Sequence, residues 1–281
     1  TFDAASGALA INVEDSNNLV VKNNIIDTNT DHGTKAMSIP KGQSVENNTG
    51  YITTVTKDNY SQYFNAKGEM INIPECSQVI LSGEFTDKNF TVTVPGTLIT
   101  CDENGIIRNG KVRIDSNATS ATISHININN TNTTIDASIE NAATNAIIVN
   151  NTIYMQQATG ITQGIKNYAG YTLIRANNVT VYGPCVGIDW NGEAIANTIG
   201  IVTLYGDNVR ILNNNIKVFQ TNGTTAEAYG TTDGIDVRGN RVSVLNNNIE
   251  VNAQVYTYGI NVMGEKLKIQ NNTINMKSER Y

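Results

Sequence analysis

Apolar and polar residues alternate along this chain in runs too short for helices and too regular for loops. The run Val209-Arg210-Ile211-Leu212-Asn213-Asn214-Asn215-Ile216-Lys217-Val218 is matched by Val242-Ser243-Val244-Leu245-Asn246-Asn247-Asn248-Ile249-Glu250-Val251 and by Leu267-Lys268-Ile269-Gln270-Asn271-Asn272-Thr273-Ile274-Asn275-Met276. Weaker copies run from Ala146 to Met155, from Thr172 to Val181 (with Ala176 in the first asparagine place) and from Leu19 to Thr28; others centre on Asn109 and His125. A second unit precedes the best copies: Ile235-Asp236-Val237-Arg238-Gly239, Ile260-Asn261-Val262-Met263-Gly264 and Val202-Thr203-Leu204-Tyr205-Gly206. Alternation with period two marks strands with one face in and one face out. Each strand is too short to bury its inner face alone, and stacking similar coils supplies the missing core. The pattern therefore predicts an all-β chain, a right-handed parallel β-helix whose coils hold three strands in about 25 residues, with Asn-rich turns.

Gly and Asn tolerate the left-handed backbone that sharp corners need. An Asn amide can also bond to its copy one coil away, so Asn213, Asn246 and Asn271 are expected to stack as a ladder. A leucine-rich horseshoe would need helix-length amphipathic stretches between strands, and none is present. The first turn places are 25 residues apart from His125 to Asn150, 26 to Ala176, 37 to Asn213, 33 to Asn246 and 25 to Asn271. Both long steps fall between the third strand of one coil and the first of the next. They mark insertions at Tyr182 to Thr198 and Gln220 to Thr232, and loops on a rigid scaffold commonly carry function.

Residues 40 to 105 break the pattern. Thr56 looks like a helix start, with Tyr60, Tyr63 and Phe64 at helical spacing; strands around Val79-Ile80-Leu81 and Phe90 to Val94 follow. The division expected is terminal coils of a preceding unit over 1–45, a linker over 46–55, a short capping segment with first strands over 56–105, and β-helix coils over 106–281. A cap is needed because an open coil exposes core and strand edges alike. With no initiating methionine or signal peptide, the chain reads as a mature fragment or a segment of something longer.

Val55-Thr56-Lys57-Asp58-Asn59-Tyr60-Ser61-Gln62-Tyr63-Phe64-Asn65-Ala66-Lys67-Gly68, then Ser77-Gln78-Val79-Ile80-Leu81-Ser82-Gly83-Glu84-Phe85 and Asn-rich coils, resemble the β-helix domains of adhesin-like surface proteins of methanogenic archaea. The resemblance covers most of residues 51–281 and implies a large secreted cell-surface protein built of tandem β-helical units. On that reading the chain is a non-enzymatic adhesin or stalk module, extracellular, meeting glycans or proteins of another cell and tandem copies of itself.

The alternative is a polysaccharide lyase or glycoside hydrolase of the pectin-active β-helix type. Thr232-Asp233-Gly234-Ile235-Asp236-Val237 resembles the Asn-Thr-Asp-Gly-x-Asp stretch of polygalacturonases, where carboxyl groups protonate the glycosidic oxygen and activate water. The Asp-Asp pair expected one coil further on is replaced by Tyr258-Gly259-Ile260-Asn261, and the Gly-His-Gly and Arg-x-Lys elements are missing. Asp236 and Arg238 are the candidates for cation-assisted lyase chemistry, but one coil cannot complete a cation site. His125 fills a turn place, and no zinc spacing, phosphate loop or nucleophile triad occurs, so no metal or cofactor is expected.

The insertions offer a binding surface instead. Asp189, Trp190 (the single tryptophan) and Glu193 lie in the first; Glu227, Tyr229 and Asp233 lie in or beside the second, with Asp236 just beyond. Thr203, Asp236 and Asn261 are expected in one outward row below them. An aromatic platform with nearby carboxylates suits a sugar ring; Trp190 packing its insertion onto the coils is the plainer reading. Of ten Asn-x-Ser/Thr sequons, Asn59 and Asn222 are the glycosylation candidates, while Asn150, Asn178 and Asn271 are assigned to the turn ladder. A net charge of −6 with 16% charged residues excludes a basic nucleic-acid surface. Cys76 and Cys101 are either a pair or separate buried thiols.

Overall fold

The structure, a computed structural model, describes residues 52–73, 75, 77–131, 134–188, 194–223, 231–253 and 257–278, with 11–12, 19–22, 24, 37–38 and 44–46. It is a parallel β-helix. Strands recur in fixed order among three parallel sheets. The first sheet has nine strands, running from Ile52–Val55 and Gln78–Leu81 to Lys268–Gln270; the third has seven, from Phe90–Val92 to Thr257–Met263. The second runs from Glu84–Thr86 to Thr273–Ser278 and carries one antiparallel addition, Ala194–Ala196.

Register shows why these residues form this fold. Val79, Ile99, Ile123, Ile148, Ile174, Ile211, Val244 and Ile269 make one inward column of the first sheet. Phe85, Ile107, Ile128, Ile153, Val179, Ile216 and Ile249 make a column of the second, and Phe90, Val112, Ile139, Ile165, Ile201 and Ile235 one of the third. β-branched side chains fit a pleated surface, and each is sealed between copies of itself. Nearly all are fully buried. At about 25 cal/mol per Å² of apolar surface, such columns supply the driving force that no isolated coil possesses.

The corner between first and second sheets corrects the expected ladder. Asn213, Asn246 and Asn271, with Asn109, His125, Asn150 and Ala176, adopt φ between 53° and 57°. They turn the chain; the ladder runs one place later. Asn151 Nδ2 donates to Asn177 Oδ1 at 2.9 Å, Asn177 to Asn214 at 2.9 Å, Asn214 to Asn247 at 3.0 Å and Asn247 to Asn272 at 2.9 Å. The same amides donate to the carbonyls of Ile123, Ile148, Ile174 and Ile211, and each Oδ1 also accepts a backbone N–H from the preceding coil. The buried amides of Asn151, Asn177, Asn214 and Asn247 are thus saturated within the protein, which is what burial of a polar group requires. Asn150 and Asn271 lie outside this ladder with exposed side chains, and Asn178 belongs to an outer pair, accepting from Asn215 Nδ2 at 3.0 Å.

The expected outward row is also corrected. Val202, not Thr203, pairs with Asp236, and Asp236 with Asn261. Thr203 faces inward at the end of a second buried ladder, where Asn141 Nδ2 donates to Asn167 Oδ1 (2.7 Å) and Asn167 Nδ2 to Thr203 Oγ1 (2.8 Å). The sequence Ile199-Gly200-Ile201-Val202 offers apolar residues in both phases, and a slip of one residue exchanges the faces of a strand.

Corner glycines are held by crowding as much as by dihedral freedom. A Cβ on Gly239 would stand 2.3 Å from Gly206 O in the neighbouring coil. At the start of the helix, Tyr60–Tyr63 is a single helical turn, shorter than the stretch expected from Thr56. Tyr60, Phe64, Phe85 and Phe90 pack ring to ring at 5.1–6.4 Å and close the first core layer. Tyr60 donates its hydroxyl to Asn89 O at 2.6 Å, and burial pushes its pKa up to about 12. Ile52–Val55, within the stretch read as a linker, is the first strand of the first sheet. Upstream, Ile11–Asn12 pairs in parallel with Met37–Ser38, and Val20–Lys22 with Ser44–Glu46.

Candidate functional site

The corner between second and third sheets carries both insertions. Second-sheet strands lengthen there, from 5 residues in Thr152–Gln156 to 11 in Asn178–Ile188 and 9 in Asn215–Gly223. The first insertion returns as a hairpin, Val186 opposite Ala196 and Ile188 opposite Ala194, while Cys185 pairs with Gly223. Asp189, Trp190, Glu193, Glu227 and Tyr229 lie outside the described residues. Asn222 lies in strand Asn215–Gly223. Asn59, far from this corner, shapes the turn before the helix: its Oδ1 accepts Thr56 N–H at 2.7 Å and its amide donates to Thr54 O at 3.1 Å.

Strand Thr232–Arg238 brings Asp233 and Asp236 to the corner. Third-sheet strands repeat Thr-x-Gly-Ile in register, at Thr162 to Ile165, Thr198 to Ile201, Thr232 to Ile235 and Thr257 to Ile260. A Cβ on Gly234 would lie 2.4 Å from Ile249 Cγ2 and 2.5 Å from Gly259 O, so that position faces a closed core. Ile235 faces the core as well. Two successive inward residues break the alternation, which leaves Asp233 and Asp236 both outward, one on each side of the break. The stretch resembling polygalacturonases is therefore the scaffold repeat plus two carboxylates. Gln163, Ile199 and Tyr258 fill the column of Asp233; Lys166, Val202 and Asn261 fill that of Asp236. The scaffold accepts acids at these places and does not require them.

Both acids are enclosed, at 0% and 3% exposure. Asp233 Oδ2 accepts from Thr231 Oγ1 at 3.0 Å, whereas its Oδ1 is buried without a partner. Burial, aided by the charge of Asp236 and opposed by the hydrogen bond from Thr231, pushes its pKa to about 7. The group is thus poised between neutral and ionised forms near neutrality, which an ordinary carboxyl is not. Asp236 is also raised by burial, against the pull of Arg238, whose Nη2 is 3.5 Å from Asp236 Oδ2. Asn261 Nδ2 donates to Asp236 Oδ1 at 3.3 Å. Perturbed, incompletely bonded acids of this kind mark functional sites more often than scaffolding.

On the second-sheet side of the same corner stands an aromatic strip that sequence reasoning passed over. Gln156, Tyr182, Phe219 and Asn252 share one outward register column. The Tyr182 and Phe219 rings stack at 4.7 Å and 14°, and Tyr154 leans on Tyr182 at 5.6 Å. The signal was in the repeat: both aromatics directly follow the last inward valine of their copies, Val181 and Val218. Aromatic rings thus lie on the strands entering this corner and carboxyl groups on a strand leaving it, the residue types expected of Trp190 and its neighbours, on different residues.

Elsewhere the chemistry is sparse. His125 Nδ1 and Ser124 Oγ are 2.7 Å apart within a turn, and Cys101 is a free thiol whose burial pushes its pKa to about 11. Among the described residues no three His, Cys, Asp or Glu side chains are grouped to hold a metal, and no helix is long and apolar enough to cross a membrane. No protein-family model matches the chain, and a search of curated proteins returns no match.

Proposed function

We propose that this chain is an extracellular β-helical module of adhesin or stalk type that holds a surface glycan non-covalently at the corner between its second and third sheets. The observation that carries this reading is the strip of Tyr154, Tyr182 and Phe219 rings on strands leading into the insertion-bearing corner, with the enclosed carboxyls of Asp233 and Asp236 on a strand leading out of it. Aromatic faces and edges contact the C–H surfaces of sugars, and hydrogen-bonding groups beside them take the hydroxyls. The resemblance to adhesin-like archaeal surface proteins supports the setting: a cell exterior, glycans or proteins of another cell as partners, and tandem copies as neighbours.

One observation favours a hydrolase or lyase as the second reading, namely a carboxyl poised near pH 7 beside a second acid. Inverting or retaining glycoside cleavage needs two carboxyl groups facing a glycosidic bond from opposite roles. Here Arg238 engages Asp236, and the next coil contributes Tyr258 and Asn261 where further acids would stand. Binding without cleavage is the reading these residues support better. The test combines affinity electrophoresis in soluble polysaccharides with assays for new reducing or unsaturated ends. Phe219→Ala and Tyr182→Ala should each weaken retardation several-fold, and no ends should be released. Release of ends that stops in an Asp233→Asn, Asp236→Asn double variant would replace this reading by the enzymatic one.

A further inference from the structure

The corner between third and first sheets holds an oddity of its own. Two residues before each first-sheet strand from Leu98–Cys101 onward the backbone turns left-handed: Gly96, Ser120, Asn145, Tyr171, Asn208, Arg241 and Lys266 all have φ between 55° and 66°. Successive members stack, each donating its N–H to a carbonyl of the next coil, as Asn145 does to Gly170 O and Tyr171 to Asp207 O. Gly and Asn suit this place best; any other Cβ crowds the following carbonyl without a local hydrogen bond to compensate. Tyr171 nevertheless occupies it, 63% exposed. In the next coil the corner is one residue longer than in the two that follow, and there Tyr205 is left-handed at φ 62° and 84% exposed.

Neither ring supports the core, yet both sit on strained backbone. The left-handed turn itself belongs to the fold, since Ser120, Arg241 and Lys266 take it too; what sets these two positions apart is a large exposed ring at each. The surroundings agree. Between Thr97 and Arg241, the exposed large apolar side chains among the described residues are Tyr168, Tyr171 and Tyr205, all at this corner on two adjoining coils. Around them lie hydrogen-bonding groups with little aliphatic surface. Asp207 Oδ1 accepts Asn240 N–H at 2.8 Å, and Arg241 reaches Asn208 Oδ1 at 3.0 Å and Asp207 Oδ2 at 3.5 Å. A protein interface would need a contiguous apolar centre; separate rings set among amides suit a carbohydrate. The Asp207–Arg241 pair cancels its own charge, and Lys166, whose Nζ lies 5.1 Å over the Tyr168 ring, is paired with Asp136 at 3.2 Å.

We infer that this corner is a second glycan-contact surface, at which Tyr171 and Tyr205 stack on the rings of a neutral polysaccharide lying along the helix axis. The inference rests on the glycan-binding reading above and adds a site and a substrate class to it. The test uses the whole chain in affinity gels containing mannan or galactan (neutral) and polygalacturonate or alginate (acidic), beside thermal melts. Tyr171→Asn and Tyr205→Asn put a residue that accepts left-handed backbone at each position. In the double variant, retardation by the neutral polymers should fall roughly tenfold or more, as two lost aromatic contacts imply. Its melting temperature should rise by roughly 2–4 °C as strain is relieved. A melting temperature that drops makes the tyrosines structural and overturns the inference. So does unchanged neutral binding, or preference for the acidic polymers. If retardation survives the double variant but fails in Phe219→Ala, this inference falls and the proposed function stands. If none of the four polymers retards the wild type, both fall.

Discussion

Two corners of the same coil behave in opposite ways. Where the first sheet passes to the second, the turn is uniform and closed by a buried amide ladder from Asn151 to Asn272. Where the second passes to the third, no amide ladder runs among the described residues, strand lengths vary, and both insertions lie between strands that carry aromatic rings and strands that carry carboxyls. The difference follows from hydrogen-bond accounting. An Asn whose amide serves three partners in two coils cannot be lengthened, shortened or replaced without taking a hydrogen bond from each of them. A corner without such a ladder leaves length and residue type free, and chemistry can collect there. Rigidity at one edge is the condition for variation at the other.

The sharpest way to break the contrast is Asn214→Leu. It would leave Asn177 N–H and one Nδ2 hydrogen of Asn177 without acceptors, and strip one donor each from Ile174 O and Asn247 Oδ1, in a closed interior. A loss of about 5 kcal/mol is expected, several orphaned groups at about 1–3 kcal/mol each offset by relaxation and by the apolar replacement. Denaturant unfolding monitored by circular dichroism reads it; a loss under about 1 kcal/mol would mean that the ladder does not hold the corner.

The second test acts on the variable corner. Asp233 has its pKa raised to about 7 from an ordinary 3.8, so the folded chain binds its proton more tightly than the unfolded chain does. Its contribution is complete below about pH 4 and is lost as pH climbs through the window to about 7, then stays level. The fall attributable to this group is up to about 4 kcal/mol, at about 1.4 kcal/mol for each tenfold gain in proton affinity. Asp233→Asn should flatten that segment of the stability–pH curve and be the more stable form at pH 8. An unaltered slope would show that Asp233 titrates as an ordinary surface acid.

The smallest effect sharpens the contrast within a single turn. Asn213→Ala, one residue from the ladder, should cost about 1 kcal/mol or less, because its task is left-handed backbone and Ala176 already performs it at φ 55°. A cost rivalling that of Asn214→Leu would return the ladder to the first asparagine.

Periodicity carried the fold. Alternation located the strands, and the spacing of turn places located both insertions. What it could not carry was phase. In Asn213-Asn214-Asn215 three identical side chains turn left-handed, inward and outward, and only the backbone tells them apart. At Ile201-Val202 two apolar residues offer equal registers, and the choice rests on Gly200, which must lie over Ile216. At the candidate site, Asp233 and Asp236 were legible as acids interrupting a repeat. Their enclosure was not, since burial of an outward face depends on chain from other coils. Tyr182 and Phe219 were legible by position and passed over because the lone tryptophan drew the attention that ring type invites.

The Asn151–Asn272 ladder has a direction. Every link in it runs from an Nδ2 of the earlier coil to an Oδ1 of the later one. Aligned in this way the group dipoles add and polarise one another, much as peptide units do along a helix. The β-helix therefore carries a polar filament inside an apolar wall, with partial negative charge gathering at Asn151 and partial positive charge at Asn272. A link cut in the middle separates it into two shorter filaments, each less polarised than the whole, whereas a link cut at Asn151 merely trims it. The stability of a coil in this protein thus depends on how many coils lie on either side of it.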